Sequence, residues 1–345
     1  MKLLLKDGTA FEGKSFGAPG STAGEVVFNT GMTGYVESFS DPSYAGQIVV
    51  LTYPLIGNYG VPDKKVFESE KMQISGLVVS EYSEKYSHAD AKESLGEWLK
   101  RSGVPAITGV DTRALTKKLR EHGVMLGQLT NDRVGKFSDP NEENLVAQVS
   151  PKKKKVYGNG PIQIIAVDCG MKENIIRSLA QKDVTLIRVP WDYDFTAEKY
   201  DALVLSNGPG DPTQCTATIE HIKKAMADNK PILGVCLGNQ LLALAAGAKT
   251  YKLKYGHRGQ NQPCIDTETG RCYITSQNHG FAVDAKSLPR EWKEWFINAN
   301  DGSNEGIAHS SKMWRSVQFH PESSPGPTDT AWIFERFLED LRKLV

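Results

Sequence analysis

Between residues 162 and 245 the chain alternates short, nearly continuous apolar runs with segments whose apolar residues recur at helical spacing. The runs at 162–167, 185–189, 202–205 and 232–235 read as strands, and the segments at 172–181 and 218–227 read as helices. Strands that are apolar throughout are covered on both faces, so this alternation predicts a mostly parallel sheet with helices on both sides. Such sheets bind ligands beyond the carboxyl ends of their strands.

The first 130 residues follow another rhythm, with Gly-punctuated β-like segments and then two helices. Asp90 and Glu93 fit a capping box ahead of Leu95, Trp98 and Leu99, with Gly103 as the stop. Asp111 similarly precedes Leu115 and Leu119, with Lys117, Lys118 and Arg120 near the helix end and Gly123 closing it. Over residues 131–161 the apolar period disappears, and Asp139-Pro140, Ser150-Pro151, Lys152 to Lys155 and Gly158-Asn159-Gly160-Pro161 accumulate. That stretch reads as a linker with a solvated lysine run. The expected fold class is α/β, with a smaller β-rich α+β domain (1–150, linker included) before a parallel-sheet domain (151–345).

Composition narrows the function. Lys+Arg and Asp+Glu both number 41, so no polyanionic partner such as nucleic acid is indicated. No apolar run approaches the roughly 18 residues that cross a bilayer, and Leu3 to Leu5 is too short for a signal-peptide core. A cytoplasmic protein is expected, without membrane or nucleic-acid partners. Its five cysteines, odd in number, do not form a disulfide framework in a chain this long.

One match is set aside. Residues 8–15, Gly-Thr-Ala-Phe-Glu-Gly-Lys-Ser, fit the phosphate-cradling pattern letter for letter. That mechanism needs a helix starting at the serine, and Phe16-Gly17-Ala18-Pro19-Gly20 cannot start one. Asp7-Gly8 between two apolar segments is better read as a hairpin turn.

The strongest chemical signal is Gly234-Val235-Cys236-Leu237-Gly238-Asn239-Gln240, where a buried strand gives way to an Ala/Leu-rich helix. This is a G-x-nucleophile-x-G elbow with cysteine as the nucleophile. A thiol at a helix N-terminus faces the positive end of the dipole, which favours the thiolate. The bland alternative, a small core cysteine, explains neither glycine; for Cys169, Cys215, Cys264 and Cys272 it suffices. No cysteine or histidine spacing indicates a metal. His320-Pro321-Glu322 offers a base and an orienting carboxylate two residues apart, which share a face if the segment is extended. The glycines of Asn207-Gly208-Pro209-Gly210, following the strand at 202–205, can turn backbone N–H groups towards developing negative charge. His279 reads as structural.

Asn-Gly-Pro-Gly-Asp-Pro (207–212), Gly-Val-Cys-Leu-Gly-Asn-Gln (234–240), Gln-Asn-His-Gly-Phe (277–281) and Phe-His-Pro-Glu (319–322), in that order, resemble the triad-type class I glutamine amidotransferase domain. Segments 24–35, 41–44, 51–60 and 109–113 resemble the N-terminal domain of the small subunit of carbamoyl-phosphate synthase. The wording is close to the glutaminase portion of the multifunctional pyrimidine-synthesis proteins. The resemblance implies that Cys236 attacks the glutamine amide, His320 shuttles protons and Glu322 orients His320. It also implies that Gly208, Gly210 and Leu237 supply backbone contacts, and that Ser43, Gln240, Asn278, Gly280 and Phe281 hold L-glutamine. No metal or cofactor is implied for this chain; ATP and Mg would be used by the partner, the large synthetase subunit or domain. A rival expectation is a non-catalytic regulatory or docking module of an ammonia-dependent synthetase, which the retained Cys236, His320 and Glu322 disfavour. The family's elbow usually reads Gly-His-Gln, whereas Asn239 stands here.

Overall fold

The structure, a computed structural model, describes residues 1–131 and 135–344. The chain divides into two compact units, Met1–Glu143 with Lys254–Gly259, and Asn144–Leu253 with Gln260–Val345. The division therefore falls seven residues before the expected end of the first domain, and a short segment from within the strand Lys249–Asp266 groups with the first unit.

The first unit is built on an eight-stranded mixed sheet. Its strand order is Ala10–Glu12, Lys2–Leu5, Met125–Thr130, Thr22–Asn29, Gln47–Leu51, Gly76–Val78, Ala106–Thr108, Lys14–Ser15. Gly8, at φ +91°, sits in the hairpin turn between the first two strands of the chain, where the Leu5 amide bonds to the Thr9 carbonyl at 2.9 Å. Lys14 and Ser15 pair with Thr108 and Ile107 in the sheet, so no helix begins at the accidental phosphate-loop match. The helix Thr112–His122 is capped by Asp111, whose carboxylate accepts from the Ala114 amide at 2.8 Å, and ends at Gly123.

The preceding helix corrects the expected cap. It runs Leu95–Arg101, and its capping box is Ser94 with Glu97, not Asp90 with Glu93. Glu93 is held extended by its bridge to Val61, whose amide bonds to the Glu93 carbonyl, so the helix starts only beyond it.

The second unit carries a ten-stranded sheet whose centre is parallel. Val184–Pro190, Ile162–Asp168, Ala202–Leu205, Ile232–Val235 and Trp314–Val317 run side by side, all parallel. Lys155–Tyr157 adds an antiparallel edge, and Asn304–His309, Trp292–Asn298, Lys249–Asp266 and Cys272–Asp284 extend the other side. Period two sorts the parallel strands onto two cores. Ile164, Ala166, Val204 and Val235 pack with Ile175, Ile176 and Leu179 of the helix Glu173–Leu179 and with Phe334 and Leu338 of Trp332–Arg342. Ile165, Val167, Leu203 and Leu205 face Ile222 of Thr216–Ala227 and Leu241 and Leu242 of Leu237–Ala245.

The linker expected over 131–161 is only partly one. Residues 132–134 lie outside the described residues. Residues 144–161 belong to the second unit. Asn144 caps a short helix, Leu145–Val149, by accepting from the Ala147 amide at 3.0 Å, and Val146 enters the second unit's core. Ser150 Oγ donates to the Asp168 carbonyl at 2.6 Å. Five helical residues are too few to register as a period, so the segment looked featureless. The lysine side chains are exposed, yet Lys155 lies in the edge strand and Lys154 pairs with Glu198 at 2.7 Å.

Candidate active site

Adjacent parallel strands end in register: Val167 lies beside Leu205, Leu205 beside Gly234, and Val235 beside Val317. The residues after those ends, among them Cys169, Ser206, Cys236 and Gln318, therefore gather at the carboxyl edge of one sheet. The fold thus collects motifs that are far apart in sequence.

Cys236 sits on the bend itself, at φ 54° and ψ −104°, and is the N-cap residue of the helix Leu237–Ala245. A non-glycine residue there is strained by about 1–3 kcal/mol, a cost that surrounding packing must hold in place. The flanking glycines permit the bend. A Cβ on Gly238 would lie 2.3 Å from the Leu205 carbonyl oxygen, and one on Gly234 2.6 Å from that of Gly238. Cys236 is 1% exposed; its Sγ lies 3.8 Å from the Asn278 carbonyl oxygen and 3.7 Å from Gln318 Nε2. All five cysteines are unpaired. Burial pushes the Cys169 and Cys264 thiols up, and Cys215 to about 12, which leaves those three inert.

His320 and Glu322 meet, but not through the extended segment their spacing suggested. The strand stops at Val317, and His320-Pro321-Glu322-Ser323 forms a turn closed by the Ser323 amide on the His320 carbonyl at 3.0 Å. Pro321 occupies the second turn position, where its fixed φ fits. The turn brings His320 Nδ1 to 2.5 Å from Glu322 Oε1. The same oxygen receives Lys172 Nζ at 3.1 Å, and that ammonium also bonds to the Ser323 carbonyl. Asn174 Nδ2 bonds to the Glu322 carbonyl. His320 Nε2 is buried with no hydrogen-bond partner among the described residues.

The electrostatics follow from these contacts. Burial alone would depress the basicity of His320, but the Glu322 carboxylate and the neighbouring Cys236 side chain outweigh it and raise its pKa to about 10. Burial would likewise raise Glu322, but the cations Lys172 and His320 hold it down to about 2. An imidazolium is thereby kept beside the cysteine across the neutral range.

Around this pair, Gly208 and Leu237 are neighbours. A Cβ on Gly208 would lie 2.1 Å from the Cys169 carbonyl oxygen and 2.8 Å from Leu237 Cδ2. Gly210 has φ +83°. Gln240 Nε2 donates to the Phe281 carbonyl at 2.8 Å, and Asn278 and Gly280 lie on the strand Cys272–Asp284. Ser43 belongs to the first unit, buried in the turn Pro42–Tyr44, with its amide on Asp41 Oδ1 at 2.9 Å. His279 bonds through Nδ1 to the Phe281 carbonyl and through Nε2 to Gln277 Oε1. Sequence reasoning missed Lys172, Asn174 and Gln318. Lys172 and Asn174 follow the end of the strand Ile162–Asp168, and Gln318 is two residues before His320, signals that strand-end logic could have used.

Residues 3–129 match the carbamoyl-phosphate synthase small chain, CPSase domain, and residues 165–340 match glutamine amidotransferase class-I. The carbamoyl phosphate synthase arginine-specific small chain of Neosartorya fischeri is 49% identical over 98% of this chain and 79% of its own length. The chain belongs to the carbamoyl-phosphate synthase small-chain family. It is also 53% identical to the multifunctional protein CAD of Squalus acanthias, over 99% of this chain and 16% of that protein. The mitochondrial carbamoyl-phosphate synthase [ammonia] of Aquarana catesbeiana is 49% identical over 99% of this chain and 24% of its own length. This family member thus spans a sixth to a quarter of those two relatives. No helix among its described residues is long and apolar enough to cross a membrane.

Proposed function

We propose that this chain is a glutaminase that hydrolyses L-glutamine to L-glutamate and ammonia and hands the ammonia to a synthetase partner using ATP and bicarbonate. Cys236, as thiolate, attacks the side-chain amide carbon. The oxyanion is received by backbone N–H groups at Leu237 and in the Gly208–Gly210 turn. The His320 imidazolium protonates the departing nitrogen, leaving a γ-glutamyl thioester and a neutral imidazole. That imidazole takes a proton from the water that attacks the thioester, and collapse restores the thiolate–imidazolium pair. Glu322 and Lys172 keep His320 oriented throughout. Gln240, Asn278, Gly280 and Phe281 are assigned to holding glutamine.

The observation that carries this reading is the buried His320, tied to Glu322 at 2.5 Å through Nδ1 with Nε2 unpartnered, beside a cysteine on a strained strand-to-helix bend. The five unpaired cysteines support a reducing compartment, the cytosol. A second reading, a docking module for an ammonia-using synthetase, draws on the similarity to the Aquarana catesbeiana protein. Mixing the purified chain with a carbamoyl-phosphate-forming synthetase and supplying glutamine or ammonium chloride separates the two. Carbamoyl phosphate from glutamine supports the first reading; carbamoyl phosphate from ammonia alone, with no glutamate released, supports the second.

A further inference from the structure

The side chain of Gln318 takes no part in the scheme above, yet it is completely buried one residue beyond the strand Trp314–Val317 and touches the nucleophile. Its orientation follows from its neighbours. The Phe281 carbonyl only accepts, so the end of Gln240 that lies 2.8 Å from it is the amide NH₂. The same Gln240 nitrogen lies 3.1 Å from Gln318, so the Gln318 atom it meets is the oxygen. Asn239 Nδ2 donates to that oxygen as well, at 3.2 Å, and Asn239 Oδ1 accepts from Ser316 Oγ at 2.8 Å. With Oε1 held by two donors, the end of the amide that meets Cys236 Sγ, at 3.7 Å, is the NH₂.

We propose that Gln318 is a positioning residue that donates a hydrogen bond to the Cys236 sulfur, holding it on the elbow and stabilising its anion, with Asn239, Gln240 and Ser316 fixing the amide. This rests on Cys236 being the nucleophile. It also accounts for Asn239. The position must donate to Gln318 and accept from Ser316, and both asparagine and a neutral histidine can do so.

Two variants separate donation to sulfur from a role in packing. Gln318→Glu keeps the length and an oxygen for Asn239 and Gln240 but replaces the donor by an acceptor. Gln318→Met removes both ends at similar volume. In a Cys272→Ser background, which removes the exposed thiol, alkylation of Cys236 by chloroacetamide at pH 7 is followed by peptide mass mapping, and glutamine hydrolysis is measured alongside. Both variants should alkylate about tenfold or more slowly than the parent, as expected for losing one hydrogen bond to a charged group. Gln318→Glu should lose kcat by a similar factor with KM within about threefold. Gln318→Glu alkylating within twofold of the parent would overturn the proposal, since only the packing role survives that change. Alkylation does not depend on turnover. A parent chain that fails to hydrolyse glutamine even with the synthetase present, while its variants still alkylate slowly, would refute the glutaminase reading and leave Gln318's role standing.

Discussion

At the scale of single residues, the pairing of His320 with Glu322 sets both the proton inventory and a pH dependence of stability. The His320 pKa is raised from 6.5 to about 10, so the pairing stabilises the folded chain fully below about pH 6.5 and is lost as pH rises through about 10. Glu322 is depressed from 4.5 to about 2, so its contribution is present above about pH 4.5 and fades as pH falls towards 2. In Glu322→Gln the imidazolium should lose its proton much nearer pH 6.5, which NMR titration of His320 would detect. The difference in melting temperature between parent and variant should narrow between pH 6.5 and 10, and a widening difference would contradict the pairing. His320→Asn should cost far more glutaminase rate than Glu322→Gln, because one removes the proton carrier and the other its orienting partner. Asn239→His should leave glutamine hydrolysis within about tenfold, roughly 1.4 kcal/mol in the barrier. A complete loss would show that asparagine does something histidine cannot.

At the scale of elements, the elbow depends on how closely the helix Leu237–Ala245 approaches the strand Ala202–Leu205. Gly238→Ala would place a carbon 2.3 Å from the Leu205 carbonyl oxygen and should destabilise the chain by about 1–3 kcal/mol while distorting the nucleophile's bend. Gly247→Ala meets nothing within 4 Å and suffers only its φ of +95°, so it should lower stability with little effect on turnover. Thermal melting and glutamine kinetics on the two variants check the contrast. The strands Ala202–Leu205 and Ile232–Val235 were legible to the residue, because fully buried strands are written as continuous apolar runs. The cap at Ser94 was not, since two S/T/D-x-x-E patterns follow one another directly, at 90–93 and 94–97, and only the bridge between Val61 and Glu93 decides between them. The contact between His320 and Glu322 was anticipated for a wrong reason, extended geometry where a turn exists. Lys172 went unseen because an ion pair with Glu322, 150 residues away, leaves no local pattern.

At the scale of the whole molecule, the first unit holds none of the five cysteines and none of the proposed catalytic residues, and its residues 3–129 match the CPSase domain of the small chain. A domain without a reaction is best accounted for by binding, so the isolated chain is expected to hydrolyse glutamine slowly and to accelerate when the synthetase joins it. Light scattering of the mixture and turnover with and without ATP and bicarbonate test this; no complex and unchanged turnover would count against docking. The central claim is that Cys236 is the nucleophile of a glutaminase, and the most direct measurement compares the parent chain with Cys236→Ser, each with the synthetase present. The account predicts that the variant loses glutamine hydrolysis by about a thousandfold or more, roughly 4 kcal/mol in the barrier, while ammonia-dependent synthesis continues. Glutamine hydrolysis within tenfold of the parent would contradict it.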